Sequence, residues 1–166
     1  MEPILNDLIA ILEEQRCHQA ALVELSERKT SAITVGDADS LHGIVEEEKA
    51  LLGLIKGVEK RQSRCVREIA DALGLPETQV RMSLIIEKAE GSQREALLRI
   101  REDLTGLIER QMKHNEINMR LLQMNMDYVQ LMLNTASNQK SGATYGQGGS
   151  IQNAPGSPRK LLDRKV

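Results

Sequence analysis

Three histidines, two cysteines and the run Glu46-Glu47-Glu48 are the residues of this chain whose types suit covalent or acid–base chemistry. A histidine acts as base or ligand only beside a carboxylate, a thiol or a second ligand. His18, His42 and His114 are scattered, and no HExxH, GxSxG or phosphate-loop spacing ties them to a nucleophile. Cys17 and Cys65 form no CxxC pair, so no metal framework is visible. The three glutamates read as a solvated helix face, because carboxylates are rarely buried. These residues predict no catalytic, cofactor-binding or metal-binding site, and so no enzyme.

The chemistry that remains is recognition, and it concentrates in residues 112–133, MKHNEINMRLLQMNMDYVQLML. Five of the seven methionines fall here, with Ile117, Leu121, Leu122, Tyr128, Val129, Leu131 and Leu133. One stripe of the Leu122, Val129, Met132 kind satisfies internal packing. Leu121, Met124, Tyr128 and Leu131 make a second stripe, and a helix apolar on several faces is either buried or binds something. Methionine is unbranched and polarizable, which suits an adaptable surface for a partner helix. Asn115, Asn118 and Asn125 interrupt the run. Two readings stand for them: register-setting amides in a helix seam, or groups that hydrogen-bond a partner backbone. The candidate partner-binding set is therefore Asn115, Ile117, Asn118, Leu121, Met124, Asn125, Tyr128, Leu131 and Met132.

A helical scaffold must position that segment. Aromatics make up 1% of the chain, with no Trp or Phe, so the core is built from Leu, Ile, Val, Met and Ala. Such residues suit helix seams better than sheets. The fold class expected is all-α: an extended antiparallel helical hairpin plus a third long helix, a coiled-coil-like bundle with a flexible C-terminal tail. A first helix spans about 3–35, with Pro3 in its first turn and a polar middle from Glu13 to Gln19. Gly36 and Asp37 then supply a left-handed helix end and a new N-cap. A second helix follows over about 38–73, carrying the heptad Leu41, Ile44, Glu48, Leu51, Ile55, Val58, Gln62, Cys65, Ile69, Ala72. Its Gly43, Gly53 and Gly57 either admit a close helix or are simply exposed. Gly74 and Pro76 end it.

So short a bend makes the two helices antiparallel. With the bend at Gly36 and Asp37, Cys65 faces about Ile9, roughly 12 Å along the axis from Cys17, too far for a disulfide. Residues 75–91 are a connector with a short helix over about 77–88. The third helix covers about 92–137, opened by Ser92 and Glu95 as a capping box. Residues 1–137 thus form the bundle and 138–166, rich in Gly, Ser, Asn and Gln, a flexible basic tail.

The net charge of −2 is uneven. Residues 135–166 carry five basic side chains and Asp163, a net of +4, which leaves −6 on residues 1–134. An acidic body argues against nucleic-acid binding. No apolar run approaches the ~20 residues of a membrane span, and Met1-Glu2-Pro3 lacks a basic leader, so the expected location is the cytoplasm, without membrane insertion.

Together these segments resemble the FlgN family. Leu25, Glu27, Lys29, Ile33, Gly36, Asp37, Leu41, Glu48, Leu51, Leu52, Glu59 and Arg61 fit the family's bend region. Asn115, Asn118, Leu121, Leu122 and Tyr128 fit its N-x-x-N-x-x-L-L element with a following Tyr. Thr144-Tyr145-Gly146-Gln147-Gly148 and the closing Leu162-Asp163-Arg164 resemble the tail of some members. The resemblance implies a cytoplasmic type III export chaperone that binds the C-terminal helices of flagellar hook-associated (hook–filament junction) proteins. It would prevent their premature assembly and deliver them to the flagellar export gate, with Asn115–Leu133 as the client surface and Tyr128 touching client or gate. The competing reading is a structural coiled-coil adaptor, a homodimer that uses 112–133 on itself.

Overall fold

The computed structural model describes the backbone of residues 2–140 and the side chains of residues 2–137. Its elements are α1 (Glu2–Val35), α2 (Ala38–Leu73), a 3₁₀ turn (Glu77–Gln79), α3 (Met82–Lys88) and α4 (Gly91–Lys140). The protein is all-α, as its aliphatic composition requires. It divides into two units, Met1–Asp127 and Tyr128–Val166. The first holds the bundle; the described part of the second is the continuation of α4. The tail beyond Lys140 lies outside the described residues, and with it the Tyr145 and Leu162-Asp163-Arg164 elements.

In the first unit, two residues make the bend between α1 and α2. Gly36 takes φ +72°, a left-handed conformation that side chains disfavour. Asp37 caps α2, its Oδ1 accepting the Ser40 N–H at 3.0 Å and its Oδ2 the Ser40 hydroxyl at 2.6 Å. Those bonds hold the Asp37 carboxyl below the usual carboxylate range. The antiparallel register is marked by ion pairs on the hairpin surface. Arg28 grips Glu47 through two bonds of 2.8 and 3.1 Å, Arg61 reaches Glu14 at 2.5 Å, and Lys29 pairs with Glu48. Lys29, Gly36, Asp37, Glu48 and Arg61 all belong to the bend-region pattern, so that pattern encodes hairpin geometry.

Two apolar clusters fill this unit. Near the bend, Leu25, Ala32 and Ile44 pack with Leu41 and Leu51. At the open end, Leu5, Leu8 and Leu12 of α1 meet Cys65 and Ile69 of α2, and Leu97 and Ile100 of α4. The connector completes that cluster: Ile85, Ile86 and Ala89 are buried in it, so α3 is a plug in the core. The sequence of residues 75–91 marks a connector and assigns it no such role. Gly43, Gly53 and Gly57 resolve toward the simpler of their two readings. A methyl group added at any of them meets nothing within 4 Å, so no helix among the described residues approaches closely there.

Both cysteines are free, Cys17 exposed and Cys65 buried with its Sγ 3.4 Å from the Ile4 carbonyl. Burial pushes the Cys65 thiol pKa up, and nearby Glu68 and Asp7 add to it. α4 begins at Gly91, one residue before the expected cap. Gly91 takes φ +52° and the Arg94 N–H bonds to the Glu90 carbonyl at 3.4 Å, which puts Ser92 inside the first turn.

Candidate functional site

α4 runs alongside α1 in the same direction within the first unit. Gln93 Nε2 donates to Asn6 Oδ1 at 2.7 Å and to the Glu2 carbonyl at 3.0 Å near the start of both helices. Farther along, Arg110 pairs with Glu27 at 2.9 Å, and Asn125 Nδ2 donates to the Ile33 carbonyl at 3.3 Å. The residues facing α1 recur at helix-seam spacing, and the seam changes chemistry along its length. It begins with Leu97, Ile100 and Leu104, the first two fully buried. It continues as Gln111, His114, Asn118, Leu121 and Asn125.

The polar part of this seam is held by hydrogen bonds to α1. Asn118 is only 4% exposed. Its Nδ2 donates to the Ser26 carbonyl at 3.0 Å and its Oδ1 accepts from Thr30 Oγ1 at 2.7 Å. Gln111 Nε2 donates to the buried Ser26 hydroxyl at 2.8 Å and to Asn115 Oδ1 at 3.4 Å. His114 Nε2 lies 3.3 Å from Glu27 Oε1. Gln111 Oε1 and His114 Nδ1 are buried and find no hydrogen-bond partner among the described residues. Of the two readings of the asparagines, Asn118 and Asn125 sit in the seam, and Asn115 lies beside it.

Apolar side chains occupy the flanks of this polar seam. Met112, Met119 and Met126 recur every seven residues on one side, beside Leu122; Ile117 and Met124 lie on the other, and all are exposed. Lys113, Glu116, Arg120, Gln123 and Asp127 take the remaining back of the helix, with Arg120 bonded to Glu116 at 2.5 Å and Gln123 to Asp127 at 2.9 Å. In the second unit every side chain from Tyr128 to Ser137 is exposed, Tyr128, Val129, Leu131, Met132 and Leu133 among them. That stretch carries no charge, and its polar groups bond within the helix, as in Gln130 Nε2 to Asn134 Oδ1 at 3.2 Å.

Leu122, Val129 and Met132, the stripe of a kind that satisfies internal packing, are all exposed, whereas Leu121 of the second stripe is half-buried in the seam. The cause is the asparagines: Asn118 and Asn125 bond to α1 and fix the rotation of α4, which turns Leu122 outward. The nine sequence-derived positions therefore separate. Asn118, Asn125 and Leu121 line the seam toward α1. Asn115, Ile117 and Met124 in the first unit, and Tyr128, Leu131 and Met132 in the second, are exposed. Met112, Met119, Met126 and Leu122 also belong to the exposed apolar set, outside those nine. The three methionines recur one residue after the seam positions Gln111, Asn118 and Asn125, and Leu122 follows seam residue Leu121, which is the signal that places them.

Elsewhere the histidines stay apart, His18 being 3.6 Å from Glu14. No group of three or more His, Cys, Asp or Glu side chains able to hold a metal exists among the described residues. No helix among them is long and apolar enough to cross a membrane.

The geometry defines a class, a helical bundle that turns a Met- and Leu-rich helix flank to solvent. Within that class the chain belongs to the FlgN protein family, whose model matches residues 1–153. Family membership makes it a flagellar export chaperone in general terms, in a family of chaperones rather than enzymes. It is also similar to YvyG of Bacillus subtilis (strain 168), an uncharacterised protein, at 25% identity over 145 residues, which covers 87% of this chain and 88% of that protein. No solved structure matches the chain.

Proposed function

We propose that the exposed flanks of α4 hold an amphipathic helical client in the cytoplasm, the C-terminal helices of flagellar hook-associated proteins. Holding them keeps those helices from assembling early and presents them to the flagellar export gate. One observation carries the reading: between Gln111 and Asn125 the side of α4 that meets its own bundle is largely polar, while the two flanks between that seam and the charged back of the helix expose apolar side chains to water. That arrangement departs from the usual amphipathic helix, whose apolar stripe faces its own core, and leaves apolar area for a partner. Covering it is worth about 25 cal/mol per Å². Association costs offset much of that gain, which leaves a reversible grip suited to handover. The uncharged stretch from Tyr128 to Gln139 fits an aliphatic client surface better than a charged one. Asn115, Ile117, Met124, Tyr128, Leu131 and Met132 are the contacts proposed, joined by Met112, Met119, Leu122 and Met126.

The test is titration of the full chain with C-terminal helical segments of hook-associated proteins, beside light scattering of the free protein. Met119→Asp with Leu131→Asp should abolish binding and leave the helical circular dichroism unchanged. A tight homodimer that dissociates in the same double variant would instead favour self-association through this segment.

A further inference from the structure

We propose that the methionines of α4 form an oxidant-sensitive modification site, so that their conversion to sulfoxides by a peroxide releases the client and leaves the fold intact. The inference rests on the docking role proposed above. Met112, Met119, Met124, Met126 and Met132 are between 50 and 73% exposed. Met82, by contrast, packs against the cluster at the open end of the hairpin. None of the five is among the residues of the two core clusters, whose buried members are Leu, Ile and Ala, which a peroxide does not attack, together with the buried thiol of Cys65.

The chemistry balances on these groups alone plus the oxidant. The thioether sulfur attacks one peroxide oxygen, an S–O bond forms and the O–O bond breaks. Sulfur loses two electrons, and the departing hydroxide takes up the remaining proton as water. A sulfoxide oxygen on a solvated flank keeps its hydrogen bonds to water, so the free protein is little affected. Under an apolar client the same oxygen loses those bonds, which weakens docking. Met112, Met119 and Met126 line one flank and Met124 the other, so oxidation reaches both.

The experiment uses the full chain carrying Cys17→Ser, because Cys17 is exposed and would react as well. Cys65 is buried, and its raised thiol pKa keeps the reactive thiolate scarce. Hydrogen peroxide treatment, followed by peptide mass mapping, should place one oxygen on each of the five α4 methionines before Met82. Circular dichroism should not change, and affinity for the hook-associated C-terminal segment should fall by about tenfold or more. A methionine sulfoxide reductase should restore it. A variant with all five replaced by Leu should bind equally before and after peroxide. Unchanged affinity after full oxidation overturns the inference and leaves docking standing. Loss of helix on oxidation also overturns it, since the methionines would then be core. No binding by the untreated protein defeats the docking role, and this inference with it.

Discussion

At the scale of single residues, the cost of polar groups in the α1–α4 seam is measurable. Asn118 joins the two helices through Ser26 and Thr30. Asn118→Ala should lower unfolding free energy by about 1–2 kcal/mol, read as a shift in the urea midpoint, because the Ser26 carbonyl keeps Thr30 as a partner. The helical glycines work the other way. Gly53 and Gly57 have ordinary helical φ and open space around them. Ala at each should stabilise by about 0.5–1 kcal/mol and raise Tm. Charge enters through Glu14 and Glu47, whose carboxyls are held below their usual range, first by the hydrogen bonds from Arg61 and Arg28. Their folded-state pKa lies below the unfolded one, so their contribution is complete above the unfolded value. It fades as pH falls through the folded value, from about pH 4 downward. Melting curves taken across that window should fall less steeply for Glu14→Gln with Glu47→Gln than for the parent.

At the scale of elements, the bend was legible because its signal is local. Gly36 followed by Asp37 is a left-handed end followed by a cap, and both do that work in the structure. The role of α3 was not legible. Seven residues are too few for a helical period to stand out, and adjacent Ile85 and Ile86 by themselves define no face. Ile85→Ala should cost about 2–5 kcal/mol by opening a cavity at the junction of α1, α2 and α4. The rotation of α4 was not legible for a deeper reason. Reading apolar stripes as inward assumes that burial selects for apolar residues, and here amide hydrogen bonds set the seam. This predicts uneven protection along α4: hydrogen exchange should be slower over 97–104, where the seam is Leu97, Ile100 and Leu104, than over 111–125. Equal protection would mean that the amide seam holds as firmly as the apolar one.

At the scale of the molecule, the all-α class followed from a composition almost without aromatics, and the candidate surface from the density of Met and Leu in 112–133. What composition does not contain is direction, that is, which of those side chains the bundle keeps and which it leaves to water. The structure gives the bundle Asn118 and leaves the five methionines exposed. A client that covers the flanks of α4 is read residue by residue by the methionine methyl resonances of the full chain. On addition of a hook-associated C-terminal segment, the methyl signals of Met112, Met119, Met124, Met126 and Met132 should shift while that of Met82 stays in place. Saturable binding that leaves those five signals unmoved would contradict docking on those flanks.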